Sequence, residues 1–149
     1  MNIRFPYKVE LSFPGDLEYI PSIRKFVSEV LLVSQFSPKF AYRSEIIVDE
    51  ICNNAVNYGS QADDARIDLV CEIFEDRIEF TIKDQGGSKD HLERLQSVLQ
   101  NDSNEEKSHN GLGLEIVRML SESLNVVIDD KHLTSVHIVR KREDKTQSS

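Results

Sequence analysis

Three places in this chain carry residue types whose spacing could do chemistry. Residues 48 to 59 read Val-Asp-Glu-Ile-Cys-Asn-Asn-Ala-Val-Asn-Tyr-Gly, with Glu50, Asn54 and Asn57 at i, i+4 and i+7. On a helix that spacing sets a carboxylate and two amides on one face, within roughly 60° of arc. Ile47, Val48, Ile51 and Ala55 make much of the remaining surface apolar. Polar side chains on such a helix are costly to bury alone, so they either bond neighbouring backbone or face a cleft that holds a ligand. Asp84-Gln85-Gly86-Gly87 follows a strand-like run. It sets a carboxylate at a strand end, beside glycines that let another group approach the backbone closely. Gly111-Leu112-Gly113 stands directly before a helical pattern, where free N–H groups and the helix dipole favour phosphate oxygens. Taken singly, each glycine site reads more readily as a plain turn or cap.

The elements that must position these groups follow from periodicity. Residues 7–13 alternate apolar and polar, a strand with one wet face. Pro14-Gly15-Asp16 breaks it, with Asp16 as a candidate N-cap. Leu17, Ile20, Ile23, Val27, Val30 and Leu31 then fall near the 3.6 period, with the regular helix starting around Ile20 because Pro21 suits only a first turn. A second helix, 38–58, carries Glu50 and Asn54 and stops at Gly59, a natural left-handed residue. Residues 65–74 and 77–83 read as a hairpin, 84–88 as a loop and 91–99 as weakly helical. Residues 100–110 are polar without periodicity, a mobile surface segment. A helix over 111–123, a closing hairpin of 124–128 and 132–140, and a disordered tail over 141–149 complete the chain. The order β-α-α-β-β-α-α-β-β predicts an α+β two-layer sandwich. Its sheet is mixed and mainly antiparallel, with helices on one face, in a single domain of residues 1–140.

Composition narrows the function. The net charge is −8 over 149 residues, with no basic stripe, which argues against direct contact with nucleic acid or an anionic membrane. A phosphorylated ligand would therefore be held by backbone amides, helix ends or a metal. Cys52 and Cys71 lie in apolar periodic segments and read as buried free thiols. The first residues show no leader pattern and no apolar run approaches membrane-spanning length, so a cytoplasmic location is expected. His91, His109, His132 and His137 are scattered, without metal-ligand spacing.

In combination the three sites are much more specific. Glu50-x-x-x-Asn54 on a helix, Asp84-x-Gly86 after a strand and Gly111-Leu112-Gly113 at a later helix, in that order, resemble the GHKL (Bergerat-fold) ATP-binding superfamily. At this length, "VDEICNNAVNYG" and "GLGLEIV" look like its anti-sigma-factor serine/threonine kinases, over about Lys8 to Arg140. The resemblance implies ATP and Mg²⁺ as cofactors. It makes Asn54 the Mg²⁺ ligand, Asp84 the acceptor from the adenine amino group, and Gly86 the point where the base meets the backbone. Gly111, Leu112 and Gly113 would wrap the phosphates through main-chain N–H groups. Glu50 would be the catalytic base toward a serine of an anti-anti-sigma protein, with a sigma factor as second partner and a homodimer as the assembly. Residues 100–110 would form a lid.

The chain departs from the fuller pattern at Ser88, where the glycine box ends in glycine, and its lid offers Lys107 and His109 but no arginine. Asn57 is open between supporting the site and capping the helix end. Arg24, Lys25 and Ser28 are the candidates for partner contact on the first helix. Two alternatives remain at this point: a non-catalytic nucleotide-gated binding module, and a detached histidine-kinase catalytic domain.

Overall fold

The computed structural model describes residues 3–58, 64–85, 109–128 and 133–143, with the backbone alone for 58 and 109–114. Its elements are β1 (Tyr7–Pro14), a 3-10 turn (Leu17–Tyr19), α1 (Ile20–Val33), α2 (Pro38–Tyr58), β2 (Arg66–Ile73), β3 (Arg77–Asp84), α3 (His109–Leu120), β4 (Ser123–Ile128) and β5 (Thr134–Lys141).

Local chemistry fixes the helix ends. Asp16 accepts from the Glu18 N–H at 3.0 Å and caps the 3-10 turn that leads into α1. The end of α1 is a Schellman closure: Phe36 N–H donates to Leu31 C=O and Gln35 N–H to Leu32 C=O, with Gln35 left-handed at φ 73°. Ser37 Oγ then accepts from the Phe40 N–H at 3.1 Å, an N-cap with Pro38 as the first helical residue of α2.

The sheet order is β1-β2-β3-β5-β4, and every pairing among the described residues is antiparallel. The sequence expectation of a mixed sheet is refined accordingly. One sheet face carries Phe13, Ile67, Leu69, Cys71, Ile73, Ile78, Phe80, Ile82, Val136 and Ile138, all buried against the helices. The other carries Lys8, Glu10, Ser12, Asp68 and Lys83, all exposed. That alternation makes the fold two layers.

Two boundaries shift from expectation. The last helix ends at Leu120, because Ser121 Oγ turns back to Val117 C=O and Glu122 N–H already joins the sheet through Val139 C=O. The tail begins later than residue 141: Lys141 closes β5, Arg142 donates to the carbonyls of Glu75 and Gln35, and Glu143 pairs with Arg140 and Arg43. Charged residues near a terminus read as solvated tail, but these serve as donors and a counterion. Residues 144–149, the 91–99 segment and Gly59 lie outside the described residues.

The direction of α2 decides what meets what. Arg140 Nη1 donates to Phe40 C=O at 3.0 Å, so the start of α2 lies over the Arg140 end of β5, opposite Ile78 of β3. α2 packs on β2 and β3. From Phe40 to Asn54 the helix rises about 21 Å. From Ile78 to Asp84 the strand covers about 20 Å. The second half of α2 therefore reaches the sheet end that carries Asp84. Arg140 Nε also donates to Leu120 C=O at 2.9 Å, which anchors the C-terminus of α3 at the Arg140 end. α3 lies against α2, so its first turn, about 16 Å away, points toward the Asp84 end as well.

Candidate functional site

The directions of α2, β3 and α3 thus carry the three sequence sites toward one end of the sandwich. On α2, Glu50 is half-buried, and no described residue engages its carboxylate in a hydrogen bond or ion pair. Burial, and then the neighbouring Asp49 charge, push its carboxyl above the ordinary range. That raises its basicity. Asp49 itself is held by Arg24 of α1 at 2.5 Å. Asn54 is 7% exposed, and its Nδ2 donates to Glu50 C=O at 2.9 Å. Fixing the amide this way leaves Oδ1, an acceptor, as the atom for a cation. Asn57 is exposed at the helix end, outside this buried pair.

Asp84 is the last residue of β3 and only 8% exposed. The sequence put it in a loop. In the structure it continues the inward parity of Ile78, Phe80 and Ile82, so its carboxylate belongs to the helix-facing side. Its register partner on β5 is Thr134, 1% exposed, whose Oγ1 has no hydrogen-bond partner. A buried hydroxyl without a partner costs about 1–3 kcal/mol and marks a place where a polar group belongs. Sequence reading missed Thr134. The signal was available: it precedes Val136 and Ile138 at period two, a hydroxyl on an otherwise apolar strand face. Asp84 and Thr134 also line, at the sheet end, a cavity of about 520 Å³ whose walls include Asp68 and Lys83 of the outer face and neither Glu50 nor Asn54.

The glycines of the third site lie inside α3 rather than before it. Gly111 falls in the first turn, whose N–H groups lack helical partners. Gly113 is a step further in, with its N–H in the helical ladder. Gly86, Ser88 and Lys107 lie outside the described residues. On the first helix, Lys25 is exposed, but Ser28 is buried and Arg24 is committed to Asp49. Ser28 is therefore removed as a partner contact: it falls on the core side of α1 with Val27 and Leu31. His137 pairs with Glu79 at 3.1 Å on the outer sheet face, away from the site. Cys52 and Cys71 are buried, and burial pushes both thiols up to about 12.

Among the described residues no group of three or more His, Cys, Asp or Glu could hold a metal ion. A single amide oxygen such as Asn54 Oδ1 is a donor that fits Mg²⁺, which takes few protein ligands.

An antiparallel sheet covered on one face, with a carboxylate at a strand end and a glycine-rich helix start opposite a Glu/Asn helix face, defines a nucleotide-binding domain of the Bergerat class. The chain belongs to the family described as Histidine kinase-like ATPase domain, which matches residues 13–139. It is 29% identical over 126 residues to a Serine-protein kinase RsbW of Bacillus cereus, covering 83% of this chain and 79% of that relative. A RsbW of Bacillus mycoides matches at 28% over the same coverage. In fold it resembles a chain of the SiaB–SiaC complex of Pseudomonas aeruginosa, with a TM-score of 0.71, 16% identity and 88% of each chain covered. It also resembles the crystal structure of the RsbU and RsbW domains of a Mycobacterium tuberculosis protein, with a TM-score of 0.65 and 12% identity. That match covers 91% of this chain and 32% of the other. No described helix is long and apolar enough to cross a membrane.

Proposed function

We propose that this protein is a Mg-ATP-dependent serine kinase that acts on a protein partner in a sigma-factor switch. The observation that carries it is Glu50, a half-buried carboxylate with raised basicity and no described partner, one helical turn from Asn54. A module that only binds nucleotide has no need of a base there. The similarity to serine-protein kinases spans the segment that contains Glu50, Asn54, Asp84 and Gly111–Gly113.

In this reading Asp84 and Thr134 receive the adenine, the first turn of α3 receives the phosphates, and Asn54 offers Oδ1 to the cation. A Mg²⁺ held there would supply charge neutralisation for the phosphates. Glu50 takes the proton of the acceptor seryl hydroxyl as its oxygen bonds to the γ-phosphorus; the bond to the β–γ bridging oxygen breaks and ADP leaves. An anti-anti-sigma protein is the acceptor and a sigma factor the competing partner. Lys25 and the exposed Phe26 of α1 lie on a face open to either.

Incubation with Mg-ATP and a candidate anti-anti-sigma domain tests the proposal. Acid-stable phosphoserine on the partner, absent with Glu50→Gln, is the expected result. Acid-labile phosphohistidine, or no transfer despite ATP binding, overturns it.

A further inference from the structure

The site is built from three elements, but the residue that fixes two of them lies at the other end of the molecule. Arg140 is 1% exposed, among the most deeply buried side chains of the domain. Its guanidinium donates to Leu120 C=O at 2.9 Å, Phe40 C=O at 3.0 Å, Ser44 Oγ at 2.9 Å and Glu143 at 2.8 Å. Its plane lies 4.0 Å from the centre of the Phe40 ring, which stacks on Phe36. One planar fork therefore joins the last carbonyl of α3, the first turn of α2 and strand β5. A lysine ammonium could not span these directions.

Such a buried cation is a costly way to hold a core together, since apolar packing of equal volume is commonly as stable or more so. What the cation adds here is direction. The C-terminal carbonyls of a helix lack internal partners and carry the negative end of its dipole. Arg140 meets that end of α3 directly. α3 is 12 residues long, and its other end carries the glycine turn. With about 16 Å between anchor and turn, a tilt of about 5° at Leu120 moves the turn by about 1.4 Å. A displacement of that order is enough to misplace a bound group badly.

We infer that Arg140 is a positioning residue for the phosphate-binding turn: it fixes the tilt of α3 against α2 from the end opposite the nucleotide. This rests on the proposed nucleotide site. It goes beyond it in assigning control of phosphate affinity to a side chain that touches no ligand.

The test separates positioning from mere stability by comparing ATP with adenosine, which keeps the base and lacks the phosphates. Isothermal titration of the full chain, held well below the Tm of each variant, gives both affinities with Mg²⁺ present. Arg140→Met keeps the stem and loses the fork; Arg140→Lys keeps the charge. Both are expected to weaken ATP about tenfold or more and adenosine less than twofold. Ser44→Ala is the control, since it removes a bond from the same buried cluster without touching α3. It is expected to lower Tm and leave the ATP-to-adenosine ratio at the wild-type value. Equal loss of ATP and adenosine in the Arg140 variants overturns the inference, as does a ratio shifted as much by Ser44→Ala. A wild-type protein that binds ATP no better than adenosine would instead overturn the nucleotide site itself. If Arg140→Met does not fold, the Arg140→Lys and Ser44→Ala pair decides alone.

Discussion

The two ends of the sandwich each bury a hydroxyl beside a charged residue, and they treat it in opposite ways. At the Arg140 end, Ser44 is fully buried; its Oγ donates to Phe40 C=O and accepts from Arg140. Arg142 extends this end over Phe36, so that two guanidinium groups flank a stacked Phe36–Phe40 pair. At the Asp84 end, Thr134 is as deeply buried, and its Oγ1 bonds nothing. Glu50, half-buried on α2, has a carboxylate that no described residue engages, and its pKa is raised rather than lowered. Among the described residues, the Arg140 guanidinium and the Ser44 hydroxyl are answered from within the fold, whereas the Thr134 hydroxyl is not. Unsatisfied buried groups are rare in native proteins and collect where a ligand completes them. The difference teaches that the fold closes its polar contacts at one end and, in the proposed reading, keeps the other for a ligand.

The largest expected effect strikes the open end. Glu50→Gln should cut partner phosphorylation by about 10²–10⁴-fold, the usual contribution of a general base. It should not cost stability. Because the folded pKa of Glu50 lies above the unfolded value, the folded state holds the proton more tightly. Its contribution to folding is full below the unfolded pKa and is lost as pH rises through the folded one. Above the folded pKa the ionised carboxylate is thus a local cost, and Glu50→Gln should leave Tm there equal or higher. By the same sign, kcat/KM should rise with pH through a value above the ordinary carboxylate range, and that limb should vanish in the variant. A Tm several degrees lower in Glu50→Gln would mean that the carboxylate is a structural member, and the contrast between the ends would fail.

Next in size is Asp84→Ala, which removes an acceptor for the adenine amino group. We expect ATP affinity to fall by about 10- to 100-fold, equivalent to about 1.5–3 kcal/mol for a charge-assisted hydrogen bond. GTP binding, weak in wild type, should not change. Calorimetric titration with both nucleotides reads this directly, and an equal loss of both would assign Asp84 to the fold instead of the base.

The fold was largely legible in the sequence because its elements are strongly periodic. The inward residues of β2 and β3 and the apolar seams of α1 and α2 decide their own faces, and Asp16, Ser37 and Pro38 mark helix starts by local rules. Of the candidate site, the sequence named Glu50, Asn54, Asp84 and Gly111 by residue type and motif order, and the directions of α2, β3 and α3 carry them toward the same end of the sandwich. What was not legible was long-range. Nothing near Arg140 in sequence indicates that a cation followed by Lys141 and Arg142 turns inward to meet residues 40, 44 and 120. Thr134 was visible in sequence as a hydroxyl on an apolar strand face, but what it faces was not, since that depends on lying opposite Asp84, 50 residues earlier in the chain. Ser28 was misread because a small polar residue on a helix looks exposed until the packing angle of α1 on α2 is known.

A paired substitution compares the two hydroxyls directly. Ser44→Ala is expected to destabilise by about 1–3 kcal/mol, because it leaves a buried guanidinium short of an acceptor. Thr134→Val keeps the shape and removes an unanswered hydroxyl, so it should be neutral or stabilising by up to about 1 kcal/mol. Urea denaturation gives both values. If the two variants cost the same, Thr134 is satisfied within the fold and the open end is less open than its geometry indicates.

The smallest effect probes whether the closed end is free of strain. Gln35 holds a left-handed conformation at φ 73°, which costs a residue with a Cβ roughly 1–2 kcal/mol and glycine almost nothing. Glycine, however, has more conformational entropy to lose on folding, about 0.5–1 kcal/mol. The two terms nearly offset, and Gln35→Gly should stabilise by about 0.5 kcal/mol. What keeps the strained turn in place is backbone: the Schellman bonds to Leu31 and Leu32, and the Arg142 guanidinium on Gln35 C=O at 2.9 Å. None of these needs the glutamine side chain, so glycine should retain them all. A loss of more than about 1 kcal/mol on Gln35→Gly would show that the side chain itself supports the turn, and that the closed end depends on more than its arginines and caps.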